Sequence, residues 1–161
     1  MLIEFQTRSL PPYYLSELYK LQNKGITPII AHPERYVPIQ DNLDLAEDWI
    51  RRGFVLQLDA GSLLGHFGKK CQQISRELIQ RGYIKLIGSD AHNNKIRNFC
   101  LKDAYDEIER LYNPEIVQKM KYNCRLLLEG KDLQIIESEN SIKHEETGNI
   151  INKLIKLIKR G

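Results

Sequence analysis

Four residues of this chain have the side-chain types and the placement of a divalent metal site. Asp90 and His92 form an Asp-x-His pair directly after the apolar run at residues 84–88. His32 follows a second apolar run, and Glu4 lies in a third. Carboxylate oxygen and imidazole nitrogen are the ligands that hard and borderline cations prefer. Each residue alone also fits a structural role, such as a helix cap, but their joint placement favours a metal site.

Two arginines lie close in sequence to these residues. Arg35 lies three residues after the first histidine, and Arg97 lies five residues after the second. A guanidinium presents a planar fork of donors that binds phosphate oxygens in pairs. The sequence therefore indicates a phosphate-bearing substrate. The alternative, that each arginine pairs with a nearby carboxylate such as Glu34 or Asp103, stays open.

Apolar runs alternate with amphipathic segments along most of the chain. We expect strands at residues 2–6, 27–31, 54–58 and 84–88, and helices at residues 13–24, 43–52, 69–81, 96–111 and 114–128. This alternation predicts an α/β fold with parallel strands and helical crossovers. In such folds the active site lies at the C-terminal ends of the strands, where the candidate ligands lie. The end of the third strand, which leads into DAGSLLG, gives the weakest indication of functional residues.

The composition excludes several classes of protein. The 161 residues are 42% hydrophobic and 28% charged, which suits one domain of ordinary size. The net charge is only +3 and there is no basic stripe with interleaved aromatics, so we expect no nucleic-acid partner. No apolar run approaches the roughly 20 residues that span a bilayer, and no signal-peptide pattern is present. A cytoplasmic location is expected.

The last part of the chain differs in composition from the rest. Residues 134–148 contain the polar stretch SENSIKHEETG and are expected to form a linker. Residues 149–161, NIINKLIKLIKRG, are predicted to form a basic amphipathic tail helix. Docking of this helix on the domain is the first expectation. Contact with a membrane surface or a partner, and disorder, are the alternatives.

Four sequence segments together resemble a known family. They are IEF at residues 3–5, GITPIIAHPERY at 25–36, AGSLLGHFGKK at 60–70, and GSDAHN at 88–93 followed by Arg97. In this order they are similar to the bacterial tyrosine-protein phosphatases of capsule and exopolysaccharide loci. These phosphatases belong to the polymerase and histidinol phosphatase (PHP) superfamily of metal-dependent phosphoesterases. The resemblance covers about residues 2–133, so we expect a phosphatase domain at residues 1–133.

The resemblance implies a fold, an activity and a set of site residues. The fold would be the C-terminal portion of a distorted (β/α)7 PHP barrel. The activity would be metal-dependent hydrolysis, with Mn2+ as the expected cofactor, of phosphotyrosine on the tail of a cognate tyrosine kinase that controls polysaccharide synthesis. A homo-oligomer is also expected. By motif position the metal ligands would be Glu4, His32, Asp90 and His92, and the catalytic, phosphate-binding residues would be Arg35 and Arg97.

The chain also departs from the family pattern. Family members carry a His-x-His strand and further acidic ligands well before the IEF segment, whereas the histidines here stand at positions 32, 66, 92 and 144. We therefore expect an N-terminally truncated domain with an incomplete metal centre. One hypothesis is a phosphatase completed from elsewhere, and the alternative is an inactive remnant that serves as a binding fragment. A third hypothesis is a histidinol-phosphatase-like enzyme. The sequence motifs AHPERY and FGK disfavour it.

Overall fold

The computed structural model describes residues 1–92 and 99–136, which contain four strands and seven α-helices. The strands are β1 (Leu2–Ile3), β2 (Ile29–Ala31), β3 (Val55–Asp59) and β4 (Ile84–Gly88). The helices are α1 (Tyr14–Gln22), α2 (Val37–Asp41), α3 (Asp44–Arg51), α4 (Ala60–Leu63), α5 (Lys69–Gln80), α6 (Leu101–Leu111) and α7 (Pro114–Leu128). A short 3-10 turn, Pro33–Arg35, lies between β2 and α2.

The four strands form one parallel sheet in the order β1-β2-β3-β4. Ile3 pairs with Ile30, and Ile30 pairs with Leu56 in turn. Because consecutive strands are neighbours and all run the same way, their C-terminal ends meet at one edge of the sheet. The predicted α/β class with parallel strands is confirmed.

An aromatic cluster fixes the chain segment that follows β1. The rings of Phe5, Tyr14, Tyr36 and Trp49 pack mostly edge to face, with Phe5 centred 5.6 Å from Tyr14 and 5.9 Å from Tyr36. The Trp49 indole donates to the Tyr14 hydroxyl at 3.1 Å, and the Phe5 amide donates to the Tyr36 hydroxyl at 3.0 Å. Buried aromatic groups whose polar atoms are satisfied make a rigid core. The cluster therefore holds the residue before Phe5, Glu4, near the turn after β2.

The helix ends predicted from glycines agree with the structure. Gly53 follows α3 with a φ of 81°, which favours glycine, and its amide donates to Ile50 at 2.9 Å. The next amide, that of Phe54, donates to the carbonyl of Trp49 at 3.0 Å. These bonds satisfy the last carbonyls of the helix and turn the chain into β3. The same arrangement at Gly82 ends α5 and leads into β4.

Several predicted boundaries were wrong. The first strand ends at Ile3 rather than residue 6, so Glu4 follows the strand instead of lying in it. Helices α2 and α4 were not predicted, because five and four residues are too few to show a helical period. The helix expected from residue 96 begins at Leu101, and residues 93–98 lie outside the described part of the chain.

The predicted domain boundaries are not tested. Most of the predicted linker and the whole tail helix fall within residues 137–161, which lie outside the described residues. In the parts of the chain that are described, no helix is both long enough and apolar enough to cross a membrane.

Candidate active site

Two residues at the C-terminal edge of the sheet adopt an unusual backbone conformation. His32, directly after β2, has a φ of 35°, and Asp90, two residues after β4, has a φ of 44°. Within residues 1–92 and 99–136 they are the two non-glycine residues with a positive φ. Such conformations cost free energy and concentrate at functional sites. Both residues belong to the predicted metal ligands.

His32 and Glu4 meet across the ends of β1 and β2. The His32 Nε2 atom lies 3.1 Å from Glu4 Oε1, with the imidazole 4% exposed and the carboxylate 66% exposed. The His32 Nδ1 atom is buried and has no hydrogen-bond partner. Burial, and then the positive charge of Arg35, lower the pKa of His32. A neutral imidazole of this kind is suited to binding a cation.

Arg35 connects the ends of three strands. Its Nη1 atom donates to Asp90 Oδ2 at 2.8 Å and lies 3.5 Å from Asp59 Oδ2. Its guanidinium also lies over the Phe67 ring, 4.4 Å from the ring centre. The sequence left open a pairing with Glu34, but the ion pairs that Arg35 makes here join it to carboxylates distant in sequence.

Asp59 is a member of the site that the sequence interpretation missed. It ends β3 with its side chain almost fully buried, and its Oδ1 atom accepts from the Gly61 amide at 2.9 Å. Its Oδ2 atom has no hydrogen-bond partner, and burial raises the pKa of Asp59. Asp59 could have been predicted from the rule that functional residues lie at the C-terminal ends of parallel strands. It was missed because the segment DAGSLLG contains no histidine.

Glu34 is buried beneath the site. Its Oε1 atom accepts from the Asp59 amide at 3.3 Å. Burial raises the pKa of Glu34 to about 8. A carboxyl group that stays largely neutral at pH 7 can occupy this apolar position. Glu34 therefore supports the end of β3 and does not pair with Arg35.

Within the Asp-x-His pair, Asp90 lines the cavity and His92 is the more exposed member. His92 Nδ1 is 2.7 Å from the carbonyl oxygen of Asp90 and 3.6 Å from Asp90 Oδ1, and the imidazole is 57% exposed. His92 thus lies beside Asp90. Arg97 falls in residues 93–98, outside the described part of the chain, so its predicted role is untested.

A cavity of about 450 Å3 lies between these strand ends. Its polar lining comes from Glu4, His32, Asp59 and Asp90, together with Gln57 and Ser89. Across residues 1–92 and 99–136, no three His, Cys, Asp or Glu side chains are grouped so that they could hold a metal ion. The chemistry of the lining nevertheless fits a divalent cation, since it offers imidazole and carboxylates, and since His32 Nδ1 and Asp59 Oδ2 accept no hydrogen bond.

The fold and the cavity define an α/β protein with an acidic, histidine-containing site at the C-terminal edge of a parallel sheet. The chain belongs to the capsular polysaccharide synthesis family CpsB/CapC, whose sequence profile matches residues 1–129. The resemblance predicted from the sequence is therefore confirmed.

Relatives with known names agree with this assignment. The chain is 37% identical over 133 residues to tyrosine-protein phosphatase YwqE of Bacillus subtilis, a match that covers 83% of this chain and 52% of the relative. It is 40% identical over 130 residues to the putative tyrosine-protein phosphatase CapC of Staphylococcus aureus, covering 80% and 50%. The chain thus spans about half the length of the curated relatives it matches.

A solved structure has the same fold. It comes from work on YwqE of Bacillus subtilis and CpsB of Streptococcus pneumoniae, which are described as unique metal-dependent tyrosine phosphatases. It superimposes with a TM-score of 0.80 at 34% sequence identity. The match covers 85% of this chain and 56% of the solved chain.

Proposed function

We propose that this chain carries part of the active site of a metal-dependent protein-tyrosine phosphatase. Its substrate is the phosphotyrosine tail of a cognate kinase that regulates capsule or exopolysaccharide synthesis in the cytoplasm. The observation that carries the proposal is the contact of the Arg35 guanidinium with Asp59 and Asp90, two carboxylates that line the cavity together with His32. Membership of a family whose relatives are named tyrosine-protein phosphatases supports it.

The proposed metal ligands are Glu4, His32, Asp90 and His92, with Mn2+ as the cation. Carboxylate and imidazole ligands suit this ion. A bound divalent cation would polarise the phosphoryl group and make water nucleophilic near neutral pH. The unpartnered His32 Nδ1 atom and the left-handed backbone at His32 and Asp90 are consistent with side chains arranged for a ligand.

Arg35 and Arg97 are proposed to bind the phosphate. A phosphotyrosine phosphate carries close to two negative charges at pH 7, and an arginine can bind two of its oxygens at once. Donors fixed in direction stabilise the charge that develops during phosphoryl transfer. The phosphate would compete with Asp90 for the Arg35 Nη1 atom, because Asp90 is the partner nearest to that atom in this structure.

The parallel sheet is proposed to be the C-terminal portion of a distorted (β/α)7 PHP barrel. The order β1-β2-β3-β4 and the position of the cavity at the C-terminal strand ends support this. Residues 1–133 would form the phosphatase domain, residues 134–148 a linker and residues 149–161 the tail helix. Membrane-surface contact through that helix and assembly into a homo-oligomer stay predictions.

A non-catalytic binding fragment is the alternative function. One observation favours it, namely that the described residues bring no three candidate ligands together. A cation held by few protein ligands binds weakly, and its charge then contributes little to hydrolysis.

Phosphate release from a phosphotyrosine peptide in the presence of Mn2+ tests the proposal. Hydrolysis by the 161-residue chain that is lost in Asp90→Ala is the result that supports the proposal. Calorimetric titration with Mn2+ should show weaker binding in His32→Ala, and unchanged binding in the control His66→Ala, whose side chain is exposed.

One result would contradict the phosphatase proposal, and another would contradict the role of Asp90. Mn2+ binding that depends on His32, without any hydrolysis, would favour the binding fragment. Hydrolysis that survives in Asp90→Ala would show that this carboxylate has no role in the reaction.

A further inference from the structure

We infer that Phe67 and Asp59 are positioning residues that together hold the Arg35 guanidinium at the cavity. This inference rests on the proposed function, because it assigns Arg35 a phosphate to bind. Phe67 lies in the segment between α4 and α5, and neither it nor Asp59 was assigned a role from the sequence.

The Phe67 ring covers one face of the guanidinium. The Arg35 Cζ atom lies 4.4 Å from the ring centre, and the ring is half-buried. A cation at this distance from an aromatic face is attracted to it, more strongly as water is excluded. The ring offers no carboxylate to the guanidinium, so the contact does not replace the ion pairs that its N–H groups make.

The Asp59 carboxylate also restrains the Arg35 guanidinium. Its carboxylate is itself fixed, because Oδ1 accepts from the Gly61 amide at 2.9 Å and the side chain is buried. Its Oδ2 atom lies 3.5 Å from Arg35 Nη1, which is close enough for charge attraction. An unrestrained arginine loses substantial side-chain entropy when it binds a ligand, so prior fixation favours binding.

Gly61 allows Phe67 to reach this position. A Cβ atom built at Gly61 would lie 3.0 Å from Phe67 Cε2 and 3.2 Å from His66 Nδ1. The His66 amide also donates to the Gly61 carbonyl at 2.9 Å, which closes the segment against α4. A side chain at position 61 would therefore push the Phe67 ring by a few tenths of an ångström, so glycine favours the observed ring position.

The contacts of Phe67 and Asp59 with Arg35 contribute most to its orientation when Asp90 does not bind Arg35. A phosphate that binds Arg35 must displace Asp90 Oδ2 from Nη1, or share the guanidinium with it. Phe67 contacts the guanidinium through its ring, and Asp59 lies near the same Nη1 atom as Asp90. Both contacts would keep the direction of Arg35 unchanged during that exchange. Loss of Phe67 should therefore weaken phosphate binding without altering cation binding.

The test follows the Arg35 side-chain Nε–Hε signal by NMR in the metal-free 161-residue chain. Arg35→Lys assigns the signal by its disappearance. Phe67→Leu should move the signal, because the ring current is lost, and should weaken binding of inorganic phosphate about three- to tenfold. Phe67→Tyr should restore both properties to within about twofold.

The chain offers a matched control and a second variant. Arg52 lies over the Tyr19 ring at 5.7 Å, so Tyr19→Leu removes a similar contact away from the cavity and should leave the Arg35 signal and phosphate affinity unchanged. Gly61→Ala should displace the Phe67 ring and reproduce the effect of Phe67→Leu. An Arg35 signal and a phosphate affinity that are the same in the wild-type chain, Phe67→Leu and Gly61→Ala would overturn the inference.

A kinetic readout separates this inference from the proposed function. If the chain hydrolyses the phosphotyrosine peptide, Phe67→Leu should raise KM about three- to tenfold with little change in kcat. An active chain whose KM is unchanged in Phe67→Leu would contradict only the positioning role. An inactive chain would contradict the proposed function, and the NMR titration would still decide whether Phe67 positions Arg35.

Discussion

Arg35 Nη1 and Asp90 Oδ2 lie 2.8 Å apart although the two residues are separated by 55 positions in the chain. The contact joins the turn after β2 to the segment after β4, and β3 lies between them in the sheet. The cation and the phosphate that we propose for this site would therefore each compete with an existing ion pair. The strength of that pair sets how readily the site accepts both ligands.

Arg35→Lys is expected to act as a loss of function despite the retained charge. The guanidinium contacts Asp90, approaches Asp59 and lies over the Phe67 ring, whereas a compact ammonium group does not provide the same planar set of donors. We expect phosphate affinity and kcat/KM for a phosphotyrosine peptide to fall about 10- to 100-fold. Calorimetry and phosphate release measure the two effects.

The control for this substitution is Arg51→Lys. Arg51 is exposed and lies 4.0 Å from Asp48, so both quantities should match those of the wild-type chain. If Arg35→Lys behaved like Arg51→Lys, a positive charge at position 35 would be sufficient for phosphate binding. The planar arrangement of the guanidinium donors would then have no role.

Glu34 is expected to tolerate glutamine but not alanine. Because its pKa is raised to about 8, the carboxyl is mostly neutral at pH 7, and an amide of the same shape can still accept from the Asp59 amide. Glu34→Ala removes that acceptor and leaves a cavity, which should lower the free energy of unfolding by about 2–4 kcal/mol. Urea denaturation of both variants at pH 7 measures the difference, and equal losses would show that the neutral form is not the one in the fold.

Glu107 should make stability depend on pH in the acidic range. Its carboxylate accepts from Arg110 at 2.8 and 2.9 Å and from Arg76 at 3.2 Å, and the hydrogen bonds with Arg110 are the main reason that its pKa is lowered. The unfolded chain then binds a proton more readily than the folded chain. The contribution is therefore complete above the ordinary pKa of glutamate and is lost as pH falls through the lowered value.

The measurement is the free energy of unfolding between pH 3 and pH 6 for the wild-type chain and Glu107→Gln. The difference between the two should shrink as pH falls. Glu109→Gln, an exposed residue on the same helix, should show no such trend. A difference that stays constant with pH would mean that the ion pairs with Arg76 and Arg110 do not stabilise the fold.

The elements of the fold could mostly be predicted because their signals are local. Apolar runs marked all four strands, and glycines such as Gly53 and Gly82 marked helix ends, since only a left-handed residue allows the closing hydrogen bonds. Strand ends were less certain. β1 covers two residues because Phe5 leaves the sheet to join the aromatic cluster, a contact with residues far along the chain.

The sequence by itself determined the α/β class, the family and the placement of His32 and Asp90 after strands. These follow from periodicity and motif order, which depend on residues close together in the chain. The tertiary structure determined which charged side chains form ion pairs. Arg35 pairs with Asp90 and Asp59 rather than Glu34, and Phe67 lies over the guanidinium, because the parallel sheet brings strand ends together that the chain keeps apart. Distances of this kind depend on strand order and loop packing, which no local pattern encodes.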